Sequence, residues 1–266
     1  MAGTIFETLS LGMVFFVSIT LFLVLTEVGF RIGIWGKSRH DTLESGPTGV
    51  ITGSILGLVS FLLAFSFGIA ASNYSERRGV VLDEANIIGT AYLRADLLPD
   101  AAAQQVRALL YEYTSIRVAV TEDDVTVSDY FFTIKESERI HALLWEQVAN
   151  VVKETPLPTY SLAVTAVNDL IDIHSVRVAV GVRHEIPGTN WAALYLVSGL
   201  ALASTGYRFG ASFGKRSELL PAMVIAFACV VSLIADLDNP RHGFLLNDQS
   251  PMRDLLSSMP APEGSG

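Results

Sequence analysis

The residues best suited to chemistry in this sequence are two arginines followed by two carboxylates. Arg77 and Arg78 end the polar run Tyr74-Ser75-Glu76-Arg77-Arg78, and Asp83 and Glu84 follow one to two turns later on a predicted helix. Paired arginines can anchor a helix at lipid headgroups, or they can attract anions, because a guanidinium is a rigid fork of donors. Ion pairing with the nearby carboxylates competes with the second role, so both interpretations stay open.

A second group of carboxylates stands near the end of the chain, in the run Asp236-Leu237-Asp238-Asn239-Pro240. Asp236 and Asp238 could bind a hard cation through oxygen, which makes them a candidate cation site. Asp-Asn-Pro is also a common helix stop, so the run has a purely structural interpretation as well.

Other chemistry has little support. The five histidines contain no pair four residues apart, Cys229 is the one cysteine, and no nucleophile elbow or glycine-rich phosphate loop occurs. We therefore predict no catalytic residues, no metal centre and no cofactor, and we predict that the protein is not an enzyme. His174 lies on an apolar helical face, which favours a packed or hydrogen-bonded side chain. A net charge of −9 argues against nucleic acid as a partner.

The elements that must position these residues are mostly apolar. Half of the 266 residues are hydrophobic and the mean hydropathy is +0.43. Four uncharged runs stand out, at residues 9–25, 49–72, 191–207 and 219–235. The second run is about 36 Å long as a helix, which exceeds the roughly 30 Å hydrocarbon core of a bilayer. Runs three and four could instead form a buried hairpin in a soluble domain.

We predict an all-α integral membrane protein of the plasma or inner membrane, with the lipid bilayer as its first partner. Its four transmembrane helices form two pairs, and a polar domain of three to five amphipathic helices lies between spans two and three. The predicted boundaries are 1–72 for spans one and two, 73–190 for the polar domain, 191–250 for spans three and four, and 251–266 for a flexible tail. The second helix should continue toward Pro99, a helix should start at Asp100, and Pro156 and Pro158 should mark a break.

The second run has two distinct rows of side chains. Small residues allow helices to approach closely, and we predict helix packing at Gly49, Gly53, Gly57 and Gly68. The bulky row, offset by about half a turn, contains Ile51, Ile55, Leu58, Leu62 and Phe65. A bulky apolar row faces either the acyl chains or a central axis, where it could gate ions by dewetting.

The segment GLVSFLLAFSFGIAASNYSERRGVVLDEANIIGTAYLRADLLP (57–99) resembles the signature of a bacterial bestrophin-like membrane family of unknown function. The run from Asn168 to Val178, NDLIDIHSVRV, is similar to its second motif, and the run from Asp236 to Pro240 to its third. A more distant resemblance to bestrophins implies a pentameric channel with four spans and a pore along the second. The paired tryptophans usual after the bestrophin neck are missing here.

The leading hypothesis is an oligomeric channel for small inorganic ions, with a pentamer suspected. The candidate constriction is the bulky row Ile51, Ile55, Leu58, Leu62 and Phe65, and the candidate mouth is Tyr74, Arg77 and Arg78. The alternative is a non-conducting scaffold or sensor whose helical domain binds a partner. Positive charges in the short loops place the polar domain outside the cell, whereas the resemblance places it in the cytoplasm, so the orientation stays open.

Overall fold

The computed structural model describes residues 10–39, 45–119, 127–183, 186–239 and 248–261. In these ranges the chain forms eight α-helices and one short 3-10 helix, and no β-strand. The α-helices are α1 (Leu11–Arg39), α2 (Ser45–Arg94), α3 (Asp100–Ala119), α4 (Val127–Glu154), α5 (Tyr160–Arg183), α6 (Gly188–Ser212), α7 (Leu219–Asp238) and α8 (Ser250–Ser258). The predicted all-α class is confirmed.

Helix α2 continues well beyond its uncharged part, which is residues 49–72. The helix has 50 residues, which corresponds to about 75 Å. The 3-10 helix Ala95–Leu97 follows it, and Leu98 is extended because a residue that precedes a proline disfavours helical backbone. The predictions that this helix runs toward Pro99 and that the next helix starts at Asp100 are both confirmed.

The chain divides into two compact units, which share α2. The first contains Met1–Tyr74 and Glu185–Leu246, and the second contains Ser75–His184 and Asn247–Gly266. The uncharged part of α2 therefore belongs to the first unit with α1, α6 and α7. The polar part of α2 belongs to the second unit with α3, α4, α5 and α8.

Three segments in the described part of the chain are long and apolar enough to cross a membrane. They are Leu11–Lys37, Thr48–Leu97 and Leu219–Asp238. Helix α6, the predicted third span, is not among them because Gly, Ser, Thr and Tyr dilute its apolar residues. Its 25 residues would be about 37 Å long, so the four-span arrangement stays a prediction.

Helices α1 and α6 approach each other so closely that only glycine fits at their contacts. A Cβ on Gly29 would overlap the carbonyl oxygen of Ala203, and one on Gly206 would overlap that of Thr26. Gly33 and Gly210, four residues further along their helices, are equally tight. In lipid, such close backbone packing is a main source of helix association.

The predicted packing positions on α2 have few neighbours within the described part of the chain, so their packing stays a prediction. No atom of another described residue comes within 4 Å of a Cβ added to Gly53, Gly57 or Gly68. Gly49 alone has a close neighbour, the guanidinium of Arg208 at 3.2 Å. Among the described residues, the tight glycine contacts thus lie on α1 and α6, and the small row of α2 is left open at Gly53, Gly57 and Gly68.

The second unit has its own apolar core, to which α3, α4, α5 and the polar half of α2 contribute. Its fully buried side chains include Ile88, Leu110, Ile140, Leu144 and Leu170. They recur at helical spacing, as the predicted amphipathic helices require.

The predicted flexible tail is wrong for its first part. Residues Ser250–Ser258 form α8, which packs against α3, and Met252 is fully buried in the core of the second unit. Pro251 does not prevent this helix, because a proline in the first turn removes an N–H group that has no partner there.

The α1–α6 contact yields a stability prediction. Gly206→Ala should lower the free energy of unfolding by about 1–3 kcal/mol, because its Cβ must displace backbone atoms rather than a flexible side chain. The check is thermal unfolding in detergent. Gly12→Ala is the matched control, since nothing lies within 4 Å of its Cβ, and it should melt at or above the parent temperature. Equal melting of both variants would contradict the close contact.

Candidate functional site

The candidate site begins with a carboxylate on the packed face of α2. Glu84 lies in the same helical row as Val81 and Ile88, which pack into the core of the second unit. Its side chain is 0% exposed. Such a group can stay charged at this depth only if opposite charges and donors surround it.

Two arginines and one tyrosine surround this carboxylate. Arg177 of α5 donates from Nη1 to Oε2, and Nε of Arg117 from α3 lies 3.3 Å from Oε1. The Tyr113 hydroxyl, also on α3, donates to Oε1 at 2.5 Å. We call Glu84, Tyr113, Arg117 and Arg177 the Glu84 cluster. A single carboxylate of α2 thus holds both α3 and α5.

The segment before α8 completes the contacts of one arginine. Nη2 of Arg177 donates to Oε1 of Gln249 at 3.2 Å. The cluster is therefore hydrogen-bonded to the segment just before α8, which lies at the end of the predicted range 191–250.

Two histidines lie against the cluster. His141 of α4 and His174 of α5 are 5% and 4% exposed, and their ring centroids are 4.8 Å apart at 81°. The Tyr113 ring is 5.0 Å from the first and 6.3 Å from the second. We call His141 and His174 the histidine pair. The prediction that His174 is a packed or hydrogen-bonded side chain is confirmed.

The hydrogen bonds fix the tautomer of His174. Its Nδ1 is 3.2 Å from the Tyr113 hydroxyl oxygen, whose single proton is already donated to Glu84. Nδ1–H of His174 must therefore donate to the tyrosine oxygen. In the neutral ring this leaves Nε2 with a lone pair and no proton.

The site holds the pair uncharged at neutral pH. Burial lowers the pKa of His141 to about 4, and the neighbouring His174 contributes to the same shift. Burial, followed by the positive charge of Arg117, lowers the pKa of His174 to about 4. Burial and the charge of Glu84 raise the pKa of Tyr113 well above its ordinary value, so the phenol keeps its proton.

A cleft of about 420 Å³ opens beside the pair. It is lined by Glu138, His141, Ala142, Trp145, Ile171, His174 and Ser175. Nε2 of each histidine is buried and has no hydrogen-bond partner. Two ring nitrogens without a hydrogen-bond partner thus lie at the edge of a cluster in which Glu84 and Tyr113 are fully engaged, and the one on His174 is an acceptor.

The predicted pore-lining residues fall into two groups in the first unit. Ile51, Leu58 and Phe65 are 59%, 52% and 58% exposed, whereas Ile55 and Leu62 are half-buried. Leu62 packs against the apolar core of the first unit. The bulky row therefore has one side toward this core and one side open.

The predicted mouth residues do not share one environment. Tyr74 is half-buried against the core of the first unit, and Arg77 is buried. Arg78 is exposed and lies 3.8 Å from Asp248, an ion pair that is worth little at an exposed position. Of the two arginines, only Arg78 is placed to meet an ion from solvent.

The two aspartates near the end of α7 are buried. Oδ1 of Asp238 accepts from the backbone N–H of Ile186 at 2.8 Å, and Oδ2 accepts from Nε1 of Trp191 at 3.3 Å. These bonds tie the end of α7 to the start of α6, which favours the structural interpretation over a cation site with Asp236. Pro240 of the same run is outside the described residues.

The sequence reasoning missed the centre of the site. It treated Glu84 as a partner for Arg77 or Arg78, whereas its partners are Arg117 and Arg177, which lie far along the chain. One signal was present: Glu84 stands in an apolar helical row, where a carboxylate needs a buried cation. A second signal pointed to the cleft beside the cluster: Glu138 precedes His141 by three residues and therefore lies on the same helical face.

The comparisons with known proteins agree with this fold. The sequence matches the family model of the Bestrophin-like domain over residues 14–246. The chain belongs to the Bestrophin-like domain family. No curated protein sequence matches this bestrophin-like chain.

Solved structures support the family at the level of the fold. A variant of a bacterial bestrophin homologue from Klebsiella pneumoniae is 13% identical at a TM-score of 0.67, and the match covers 92% of this chain and 97% of that chain. Another structure of a Klebsiella pneumoniae homologue, from Zn-SAD phasing, is 16% identical at 0.61, with 91% and 99% covered. A variant described as a membrane protein is 14% identical at 0.65, with 91% and 97% covered. The bestrophin fold is thereby shown.

Two of the three motifs that carried the sequence resemblance meet in the Glu84 cluster. Glu84 belongs to the motif at 57–99, and His174 and Arg177 belong to NDLIDIHSVRV. The third motif contains Asp238 and lies in the other unit. In this bestrophin-like chain, the first two motifs therefore serve one structural purpose, which is to bind α2 to α5.

The cluster yields a prediction about buried charge. Glu84→Ala should lower the free energy of unfolding by about 3–5 kcal/mol, because it leaves two guanidinium groups without their carboxylate. Glu112→Ala is the control: its partner Arg139 is 45% exposed, and the loss should be at most about 1 kcal/mol. Thermal unfolding of the purified protein in detergent measures both. Similar losses for the two variants would show that Glu84 is not the centre of the cluster.

Proposed function

We propose that this bestrophin-like protein forms a homo-oligomeric pore for small inorganic ions in the plasma or inner membrane. Copies of α2 surround a central axis, and the uncharged part of this helix lines it. The observation that carries the proposal is the open face of α2: the other helices of the first unit cover only one side of a segment that has no charge over 24 residues.

The covered side of this segment is easily distinguished from the open one. Thr52, Val59, Ser66 and Ala70 are buried in the first unit. On the open side, the small row at Gly53, Gly57 and Gly68 has no neighbour, and the bulky row exposes Ile51, Leu58 and Phe65. The small row suits close contact with an adjacent copy, since helices in lipid pack through small residues.

The bulky row suits the axis of the oligomer. A ring of Leu58 and Phe65 side chains forms an apolar constriction, and such constrictions control ion flow by dewetting. Ile51 extends the row by two turns, while Ile55 and Leu62 support it from the side of the core. Arg78, exposed beyond the uncharged segment, supplies a positive charge near the mouth.

Family membership supports the same conclusion. The fold matches bacterial bestrophin homologues along nearly the whole chain, and the resemblance at the level of motifs implies a pentameric channel. The multi-pass topology with four spans belongs to this proposal, with α6 as the third. A monomer or dimer in solution would favour the scaffold or sensor alternative instead, because so few copies of α2 cannot enclose a pore.

The constriction can be tested by ion flux. Leu58→Ser and Phe65→Ser should each raise ion flux in reconstituted liposomes, by about tenfold if the barrier falls by about 1.4 kcal/mol. The reason is that a hydroxyl at the constriction lowers the free energy of wetting it. Leu200→Ser on α6, another exposed leucine of the first unit, is the control and should leave flux unchanged. Absence of flux in the parent and both variants under every gradient would refute the pore.

The small row can be tested by subunit count. Gly53→Leu should break the oligomer into monomers, because its side chain fills the space that a neighbouring α2 would occupy. Helix content by circular dichroism should stay the same, since nothing in the part of the chain that the structure describes lies within 4 Å of a Cβ at this position. Light scattering of the detergent-solubilised protein gives the count, with Gly12→Leu as the control. An intact oligomer in the Gly53 variant would contradict this packing.

A further inference from the structure

We propose that the histidine pair is a proton-binding switch that releases the polar half of α2 from α3 and α5 on acidification. The consequence for ion conduction rests on the proposed function, whereas the switch itself does not. The role follows from the two buried ring nitrogens without a hydrogen-bond partner beside the Glu84 cluster.

The first step is the identity of the ligand. Nε2 of His141 and Nε2 of His174 are buried side by side without a hydrogen-bond partner. A metal ion would need further ligands, and no group of three His, Cys, Asp or Glu side chains able to hold one occurs in the part of the chain that the structure describes. A proton needs only one lone pair. It is therefore the ligand that the histidine pair is suited to bind, because each neutral imidazole ring keeps one nitrogen with a lone pair.

The second step is what a proton would meet there. The charged and titratable groups around the pair come from every helix of the cluster: Glu84 of α2, Tyr113 and Arg117 of α3, Glu138 of α4 and Arg177 of α5. One buried carboxylate already serves two guanidiniums. An imidazolium adds a third positive charge beside them, and Glu138, which lines the cleft, is exposed to solvent, where water screens its charge. Repulsion therefore opposes the closed cluster once the pair is protonated.

The third step is the sign of the pH dependence. In the closed cluster each histidine has a pKa of about 4, below the ordinary value of 6.5. In an opened, hydrated cluster the rings return toward the ordinary value, so the open state binds the proton more tightly. Opening is therefore unaffected above about pH 7 and is favoured as the pH falls from 6.5 toward 4. One histidine shifts the opening equilibrium by about 30-fold at pH 5 and by up to roughly 300-fold at lower pH.

The fourth step is what opens. Tyr113 contacts both rings of the pair and donates to Glu84, and Arg117 and Arg177 bind the same carboxylate. When the pair becomes charged and hydrated, these three side chains lose the dry environment that holds them on Glu84. Glu84 is on the same continuous helix as the proposed constriction. Release of the polar half of α2 from α3 and α5 thus acts on the same helix that would line the pore.

Hydrogen exchange of the full-length protein in lipid nanodiscs tests the switch without any need for conduction. Amide exchange of residues 80–91 on α2, corrected for the intrinsic pH effect, should become at least about 30-fold faster between pH 7.5 and pH 5, because this is the factor for a single histidine and the parent has two. The double variant His141→Gln, His174→Gln keeps polar side chains that do not titrate, and it should show no such acceleration. Equal acceleration in this variant, or none in the parent, would overturn the switch.

A second variant keeps the test decisive if the double variant fails to fold. His141→Phe retains a ring against Tyr113 but removes one titrating group, so the acceleration at pH 5 should persist with His174 alone and shift in midpoint.

Ion flux into liposomes over the same pH range then tests the link to conduction. If ion flux changes over the same pH range as amide exchange, and this change is absent from the histidine variants, the link is supported. Ion flux that stays constant over this range overturns the link. A protein that conducts at no pH refutes the proposed function, while the exchange result still decides the switch.

Discussion

The second unit depends on one buried carboxylate that is shared by two guanidiniums. Each partner is held by charge: without Glu84, Arg117 and Arg177 would be buried beside each other, and without the arginines the carboxylate would be buried alone. The three residues come from three helices, so the ion pairs set the register of α2, α3 and α5 against one another. The direction of two further hydrogen bonds follows. Tyr113 must donate to the carboxylate and His174 must donate to Tyr113, which leaves Nε2 of His174 as an acceptor.

In contrast to the second unit, the first unit is stabilised by close helix packing. Helices α1 and α6 pack closely because glycine has no side chain: at Gly29 and Gly206, a carbonyl oxygen of one helix contacts the backbone of the other. Polar contacts such as Asp238 with Trp191 and Ile186 are placed at a helix end, where an unsatisfied N–H group needs a partner. This division agrees with the solvents that the two units are expected to meet. Close packing works in lipid, where the hydrophobic effect does not draw helices together, while buried charge is used where water surrounds the unit.

The helices could be predicted from the sequence because their signals are local. Uncharged runs, apolar periodicity, Pro99 and the two prolines after α4 each act within a few residues, and these predictions are confirmed. The Glu84 cluster could not be predicted in the same way, because Glu84, Arg117 and Arg177 are separated by long stretches whose fold decides which helix faces which. The predicted packing stripe on α2 shows the same limit. A row of small residues shows that a helix can be approached closely, but it does not show which helix approaches it. Among the described residues, close approach occurs at Gly29 of α1 and Gly206 of α6.

The two rows on the open face of α2 distinguish a protein partner from lipid. Acyl chains are fluid and adapt to any apolar surface, so a face that meets only lipid has no need to separate small from large side chains. Here Gly53, Gly57 and Gly68 follow one line, and Leu58 and Phe65 follow another, both exposed. Close helix contact needs the first arrangement, and a narrow apolar axis needs the second. Because both are present on one helix, the face supports the proposal that copies of α2 surround an axis.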